Sequence, residues 1–400
     1  MCQQDYDLII VGGGMVGASL AYALKNSRLK IALIEAFEFN TVQQVSYDDR
    51  GIALSYGSQI IFEAMGLWSQ LSPYATAISD IHISDRGHFG VSRLSAKAEN
   101  VPALGQVITA KSMGLILNKA LSEQENIDIY CPASVISLNQ SADHIELVLK
   151  DNTHLTAKLI VAADGAQSTI RHCLNLGALE HDYQQTAITA NISTERPHQA
   201  QAFERFTEHG PIALLPMSDN RCSLVWTVKS GDEVDILALS EQDFLAKLQT
   251  EFGYRLGKFT QVGQRNSYPL KLIQADQPVQ HRTILIGNAA HSLHPIAGQG
   301  FNLGLRDVAE LADRLNATED CGDSKLLHDY QYARQVDHDN VINSTGNLVD
   351  LFSNNNPLLG HLRGAGLALV DILPPAKHWL AQQSMGLAIK QPKLGRGLKL

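Results

Sequence analysis

Three turns, far apart in the chain, carry the residues best suited to chemistry. The first is Gly12-Gly13-Gly14-Met15-Val16-Gly17, entered from the apolar run Leu8 to Val11, with Glu35 closing the next apolar run. Gly12, Gly14 and Gly17 have the spacing of a dinucleotide-binding turn. Gly12 allows the tight turn, Gly14 lets backbone approach a pyrophosphate, and Gly17 lets the following helix pack close to the strand. The helix N-terminus then offers free N–H groups to phosphates, and Glu35 can bind both ribose hydroxyls. The second turn is Asp164-Gly165-Ala166-Gln167-Ser168, entered from Leu159 to Ala163, with Arg171 just beyond. The third runs from Gly287-Asn288-Ala289-Ala290-His291 to His294-Pro295-Ile296-Ala297-Gly298-Gln299-Gly300-Phe301-Asn302.

The first turn alone does not distinguish a nicotinamide from a flavin dinucleotide. The other two do. A nicotinamide dehydrogenase has no use for a second strand–Asp–Gly turn and a third strand–Gly–helix crossing. FAD is long, and its ring must be held well away from its adenine. The set reads as one FAD site, with Gly12, Gly14, Gly17, Glu35, Asp164, Gly287, Asn288, Gly298, Gly300, Phe301 and Asn302 as binding residues.

The elements around these turns indicate an α/β protein. Residues 5–35 read as a β-α-β unit, residues 51–71 and 111–122 as helices. Between 176 and 270 the pattern changes: 185–192, 200–206, 212–217 and 221–228 read as strands of an antiparallel sheet. A helix after Asn302 carries Leu305, Val308, Ala309, Ala312 and Leu315 on one face. From about 325 the chain reads as helical, broken at Pro357 and Pro374-Pro375. The expected architecture is a Rossmann-like FAD-binding domain (1–75, 100–175 and 271–335) with an inserted antiparallel β-sheet substrate domain (76–99 and 176–270) and a helical C-terminal region (336–400).

Composition sets outer limits. With 400 residues the chain can bury a large core, and its net charge of -9 argues against a nucleic-acid partner. Cys2, Cys131, Cys173, Cys222 and Cys321 are scattered, without zinc-type spacing, and read as reduced thiols of a cytoplasmic protein. Acidic residues precede the first apolar run, unlike a signal peptide, and no run approaches bilayer length. The protein is expected to sit, at most, on the inner face of a membrane. After Asp371 there is no Asp or Glu, whereas Lys377, Lys390, Lys393, Arg396 and Lys399 are basic. That tail reads equally as a docking element for anionic lipid or a biosynthetic complex and as a frayed, solvated terminus.

With these residues in place, the chain resembles the p-hydroxybenzoate hydroxylase-like class A FAD monooxygenases over nearly its whole length. Within that family it is similar to the ubiquinone-biosynthesis branch, which acts on phenols such as 2-octaprenyl-6-methoxyphenol. Matching segments outside the three turns are Phe203 to Thr207, Leu215 to Asp219, Arg221 to Trp226 and Ser84 to His88. The resemblance places Arg50 near the flavin and Gln106 beside the cofactor. It implies NAD(P)H as electron donor, O2 and a prenylated phenol as substrates, and oxygen transfer through a flavin hydroperoxide. Most of the family has Gly-Asp where this chain has Gly287-Asn288, so the residue beside the ribityl chain is uncharged here.

In that chemistry the flavin carries the reaction and the protein positions and shields it. Pro295, His294 and Gln299 are the expected catalytic residues: Pro295 walls the reacting side of the ring, while the helix entered at Gln299 stabilises its anionic reduced form. His294 reads either as an aid to phenol ionisation or as a loop residue held by the fold. Leu214, Leu215, Met217, Leu224 and Trp226 are offered as an apolar wall for the prenyl tail, with domain core as the plainer reading. Arg205 and Arg221 stay open between ion pairs and substrate contacts. His291 and His294 lack an accompanying HExxH or acidic cluster, so no metal is expected. An FAD reductase of the same fold, and a non-catalytic flavin-binding subunit of a membrane-associated complex, are the alternatives.

Overall fold

The apolar run Leu8 to Val11 has no polar face, as expected of a strand covered on both sides. In the computed structural model, which describes residues 5–39, 49–352 and 357–400 (side chains from 360 onward in the last segment), it lies at the centre of a mainly parallel sheet. The strand Tyr6–Val11 pairs with Ile31–Ile34 on one side and His154–Ala162 on the other. Thr283–Leu285 adds in parallel beyond His154–Ala162, and Ile127–Tyr130 beyond Ile31–Ile34. The register sets Leu285, Ala162, Val11 and Ile34 in one row. Four strands therefore end level, and the three turns and Glu35 emerge at the same edge. That carboxyl edge is where open α/β sheets bind ligands.

Helices Met15–Ala23, Ala110–Ser122 and Gln299–Asn316 cover one face of this sheet. Their Leu20, Leu117, Leu305 and Val308 are buried in one core with Leu8 and Ile10. The segment 51–71 is not all helix. Gly51–Ser55 is a strand paired with Gly105–Thr109, and the helix Tyr56–Ala64 begins only after Ser55, whose Oγ accepts from the Ser58 N–H. Pairing with a distant strand decides these residues where local pattern does not.

The inserted sheet contains Ala178–Thr194, Gln201–Thr207, Gly210–Met217 and Arg221–Lys229, close to the expected spans. Side chains alternate between its two faces, apart from irregularities in the first strand at 182–185 and 193–194. Phe203, Leu214, Leu224 and Trp226 pack with Phe244 and Phe252 of the helix Glu241–Phe252. The other face meets the nucleotide domain. There the Gly51 N–H donates to Ser223 Oγ at 3.0 Å and Asn191 Nδ2 donates to the Asp49 carbonyl at 3.2 Å. The expected apolar wall is therefore divided. Leu215 and Met217 belong to the face turned to the nucleotide domain, whereas Leu214, Leu224 and Trp226 are core on the far side.

The C-terminal region is helical: Ser324–Phe352, Pro357–Ile372 and Pro374–Ser384, the last two opening on proline. The basic tail is not frayed. Leu394 is buried in the nucleotide-domain core, Lys393 Nζ lies 3.0 Å from Asp313 Oδ1, and the Gly57 N–H donates to the Met385 carbonyl at 2.9 Å. Lys390, Arg396 and Lys399 remain exposed. Cys131, Cys173, Cys222 and Cys321 are free thiols, and Cys2 lies outside the described residues. Among the described residues no helix is long and apolar enough to cross a membrane.

Candidate functional site

The first turn has room for glycine only. A Cβ at Gly12 would lie 2.4 Å from the Ala163 carbonyl oxygen, and one at Gly17 would lie 1.9 Å from that of Gly12. Gly12 also has φ +104°, a left-handed value that favours glycine. Gly14 caps the helix Met15–Ala23 without a side-chain hydrogen bond, so the first N–H groups stay available to an anion. Glu35 is buried at the end of the second strand. Its Oε2 accepts from the Gly13 N–H at 2.7 Å and its Oε1 from that of Phe37 at 3.0 Å. Burial raises its pKa, against the pull of those N–H groups. Each oxygen can still accept from a ribose hydroxyl.

The second turn is tied to the third by one side chain. Arg171 donates from Nη1 to the Ala289 carbonyl at 3.0 Å and from Nη2 to that of Ala166 at 2.7 Å. Asp164 Oδ2 accepts from the Ile170 N–H at 3.2 Å, but its Oδ1 is buried without a protein partner. Burial raises the pKa of this carboxyl above the ordinary range. An unpartnered buried carboxylate oxygen costs free energy unless a ligand donates to it, and the hydroxyl-bearing chain of FAD can do so. Gly287, at φ +56°, sits where a Cβ would come 3.1 Å from Val16, so the first and third turns are in contact. Asn288 beside it is exposed. The unsatisfied Asp164 oxygen, the uncapped helix and the close glycine packing all fit FAD.

The long third turn is held from both sides. His294 is fully buried; its Nδ1 accepts from the Ile296 N–H at 3.3 Å, so its Nε2–H donates to Gln185 Oε1 at 3.2 Å. Burial pushes its pKa down to about 4. His294 is thus a neutral anchor between the Pro295 bend and the inserted sheet, the plainer of its two readings. Ala297 and Gly298 take left-handed conformations, and a Cβ at Gly298 would meet that of Ala53 at 3.1 Å. A Cβ at Gly300 would meet nothing within 4 Å.

Asn302 is fully engaged by the protein. Its Nδ2 donates to the carbonyls of Ala53 (2.8 Å) and Gly298 (2.7 Å), and its Oδ1 accepts from Ser55 N–H (2.8 Å) and Ser58 Oγ (2.7 Å). Phe301 stacks on Phe62 with ring centroids 6.5 Å apart. These two side chains shape the turn, and their backbone is what remains for a ligand. Gln299 Nε2 reaches the Ala297 carbonyl at 3.4 Å. Gln106 Nε2 donates to Gln59 Oε1 at 3.1 Å, and the Arg50 guanidinium lies 5.3 Å from the centroid of the Tyr268 ring. Arg205 donates to the Glu251 carbonyl on the far face of the inserted sheet, and Arg221 pairs with Asp219 at the surface. Neither is directed into the cleft.

One buried group was not legible in advance. His291 Nε2 and His338 Nε2 each contact Asp307, at 3.0 and 2.7 Å, and Arg334 Nε donates to the same carboxylate at 2.7 Å. An acidic partner does accompany His291, contrary to expectation, although His294 is not part of the group. Arg334 in turn contacts Asp337, which also receives Arg306. The guanidinium on Asp307 makes this an ion network that fastens the third turn to the helix Ser324–Phe352. Asp307, one turn from Leu303 and Leu311 on the buried face of the helix, was the available signal.

Comparison with known proteins places these features in a family. The model of the FAD binding domain family matches residues 5–345. The chain is 36% identical to the ubiquinone hydroxylase UbiL of Rhodospirillum rubrum, over 98% of this chain and 93% of that protein. It is 31% identical to the 3-demethoxyubiquinol 3-hydroxylase of Escherichia coli, over 97% and 100%. Among solved structures, p-nitrophenol 4-monooxygenase PnpA from Pseudomonas putida superposes with a TM-score of 0.79 at 16% identity, covering 96% of this chain and 98% of that one. This last likeness is one of fold.

Proposed function

We propose that this chain, which belongs to the FAD binding domain family, is an FAD-dependent aromatic hydroxylase that inserts one oxygen atom of O2 into a prenylated phenol in ubiquinone biosynthesis, with NAD(P)H as electron donor. The observation that carries the reading is the placement of the His294–Asn302 turn. It lies at the end of the nucleotide site remote from Glu35 and is clamped through Gln185 to the inserted sheet. The redox end of the cofactor then faces a cleft between two domains.

FAD, when bound, supplies the electron transfer and oxygen activation. The protein does the rest. The Gly12–Gly17 turn and the helix after it hold the pyrophosphate, Glu35 the adenosine ribose, and Asp164 with Asn288 the ribityl chain. Asn302 holds the Gly298 carbonyl and so leaves the N–H groups at the start of Gln299–Asn316 free, where they would stabilise negative charge on a bound reduced flavin. Pro295 bounds the reacting side. Leu215 is part-exposed on this face, with Met217, Phe206 and Ile296 in buried apolar clusters behind it, a setting that suits a prenyl chain, at about 0.8 kcal/mol per buried methylene. Contact with a membrane surface belongs to the same reading, supported by exposed Ile372 and Trp379 (74% and 62%) on the C-terminal helices and by exposed Lys390 after them in sequence.

The test is direct. The purified protein is expected to be yellow and to couple NAD(P)H oxidation to a hydroxylated prenylphenol, identified by mass spectrometry. NAD(P)H oxidation that yields only hydrogen peroxide with every prenylphenol offered would select the reductase alternative. A colourless protein that cannot be reconstituted with FAD would end the reading.

A further inference from the structure

We propose that Glu204 is the acceptor for the phenolic hydroxyl of the substrate and its proton-accepting residue. The inference rests on the hydroxylase reading and adds a residue to it. It starts from the strand Gln201–Thr207, whose side chains alternate between the two faces of the inserted sheet. Phe203 packs on Phe252 and Arg205 donates to the Glu251 carbonyl, both on the helix-covered face. Ala202, Glu204 and Phe206 must therefore point to the other face, toward the nucleotide domain.

The neighbours of Glu204 fix its position more closely. Ala202 packs in one cluster with Val107, Met217 and Ala53, and Ala53 is the residue that a Cβ on Gly298 would touch. Phe206 packs in another cluster with Ile296, next to Pro295. Glu204 lies between the two, one step of about 7 Å along the strand face from each. Its cross-strand partners are Ala213 and Ile83, both apolar. Glu204 thus lies on the sheet face between the cluster that reaches Gly298 through Ala53 and the cluster that holds Ile296, on the side of the Pro295 bend.

No hydrogen bond or ion pair with any described residue holds it, yet part of its surface stays accessible. The other carboxylate on this face of the adjoining strand, Asp85, is paired with Arg363 and with His88. His294, the nearest titratable group on the third turn, is neutral. Burial alone raises the Glu204 pKa, to about 7. A carboxyl so placed suits proton exchange near neutrality. It also orients the substrate, with the hydroxyl at Glu204 and the prenyl chain along the part-exposed Ile83 and Leu215 of the same face.

In the step assigned to it, the phenolic O–H bond breaks, its electron pair stays on oxygen, and the proton moves to a Glu204 carboxylate oxygen. This raises electron density on the ring carbon that takes up oxygen. When that carbon loses its C–H proton to water, the C–H pair restores the aromatic ring and the ring oxygen recovers the proton from Glu204.

The test compares wild type, Glu204→Gln and Glu204→Asp holoenzymes with 2-farnesylphenol and its methyl ether. Wild type is expected to bind the phenol about 10- to 100-fold more tightly than the ether, as a charge-assisted hydrogen bond allows. Its affinity for the phenol should increase as pH rises through 7. Glu204→Gln should keep full FAD content, bind phenol and ether alike, lose that pH dependence and turn over at least about 100-fold more slowly. Glu204→Asp should keep the pH dependence. Equal affinity of wild type for phenol and ether overturns the proposal, even if the glutamine variant does not fold. So does a Glu204→Gln enzyme with wild-type affinity and turnover. Glu204-dependent binding without hydroxylated product would overturn the hydroxylase reading and leave this contact standing.

Discussion

Arg171 and Ala289 are joined by a hydrogen bond of 3.0 Å that crosses between two turns 118 residues apart in sequence. The same guanidinium holds Ala166, so the Asp164 turn and the Gly287 turn move as one body. The FAD site is therefore assembled from pieces that hold each other, not from three independent loops.

Replacing Arg171 with Met keeps the bulk of the side chain and removes both bonds. The carbonyls of Ala166 and Ala289 then lose charged donors at a buried site. A loss of about 2 to 4 kcal/mol in stability is expected, with FAD affinity falling in parallel. Denaturant unfolding of the apoprotein and flavin fluorescence on release measure the two effects separately.

Asn302 uses both donors and both acceptors, which makes it sensitive to the smallest change. Asn302→Asp keeps the size and the two acceptor contacts but places a carboxylate against the carbonyls of Ala53 and Gly298. Asn302→Leu removes all four hydrogen bonds at a buried site. Both variants are expected to lose about 3 kcal/mol or more and most of their FAD. A flavin-to-protein absorbance ratio equal to wild type in the aspartate variant would contradict the scaffold role.

The Asp307 network predicts an acid limit. Burial raises the carboxyl's pKa, but His338 and Arg334 prevail and hold it well below the usual carboxylate range. A depressed folded-state pKa contributes stability that is present above the unfolded value, near 4, and is lost as pH falls through the folded one. Asp307→Asn should cost about 3 to 5 kcal/mol at pH 7 by leaving Arg334 without this partner. The difference from wild type should shrink only below about pH 4. Urea titrations at pH 7, 5 and 3 test both the size and the window.

Glu204 predicts the opposite sign. Its folded-state pKa is raised from 4.5 to about 7, so the folded protein favours the protonated form. Below the unfolded value the group is protonated in both states and costs nothing. As pH rises from there to about 7, the carboxyl costs the folded state up to about 3 kcal/mol. Glu204→Gln should therefore be more stable than wild type at pH 8, with the gap closing toward pH 4.5. Thermal melts of the two apoproteins across that range check it.

The glycine turns were legible because their spacing reflects a fixed chemical need, and the inserted strands because alternation with turn residues marks them. Two things were not. Gly51–Ser55 is a strand only because Gly105–Thr109 lies beside it, a pairing no local window contains. Which of Leu214 and Leu215 faces the cleft depends on register, and a one-residue shift exchanges the faces. The same parity hides Glu204: beside Arg205, it resembles one half of a surface charge pair until the sheet's two sides are distinguished. Asn302 could be named from its motif, but not its service to Ser55 and Ser58, which lie far away in sequence.

Leu394 is buried in the same core as Leu8. The domain that begins at the first strand is thus sealed by a segment made nearly four hundred residues later. That core can close only after Leu394 has been synthesised, so the sheet is completed later than the inserted domain that interrupts it in sequence. A polar substitution at Leu394 would therefore act on cofactor retention through the packing of that core.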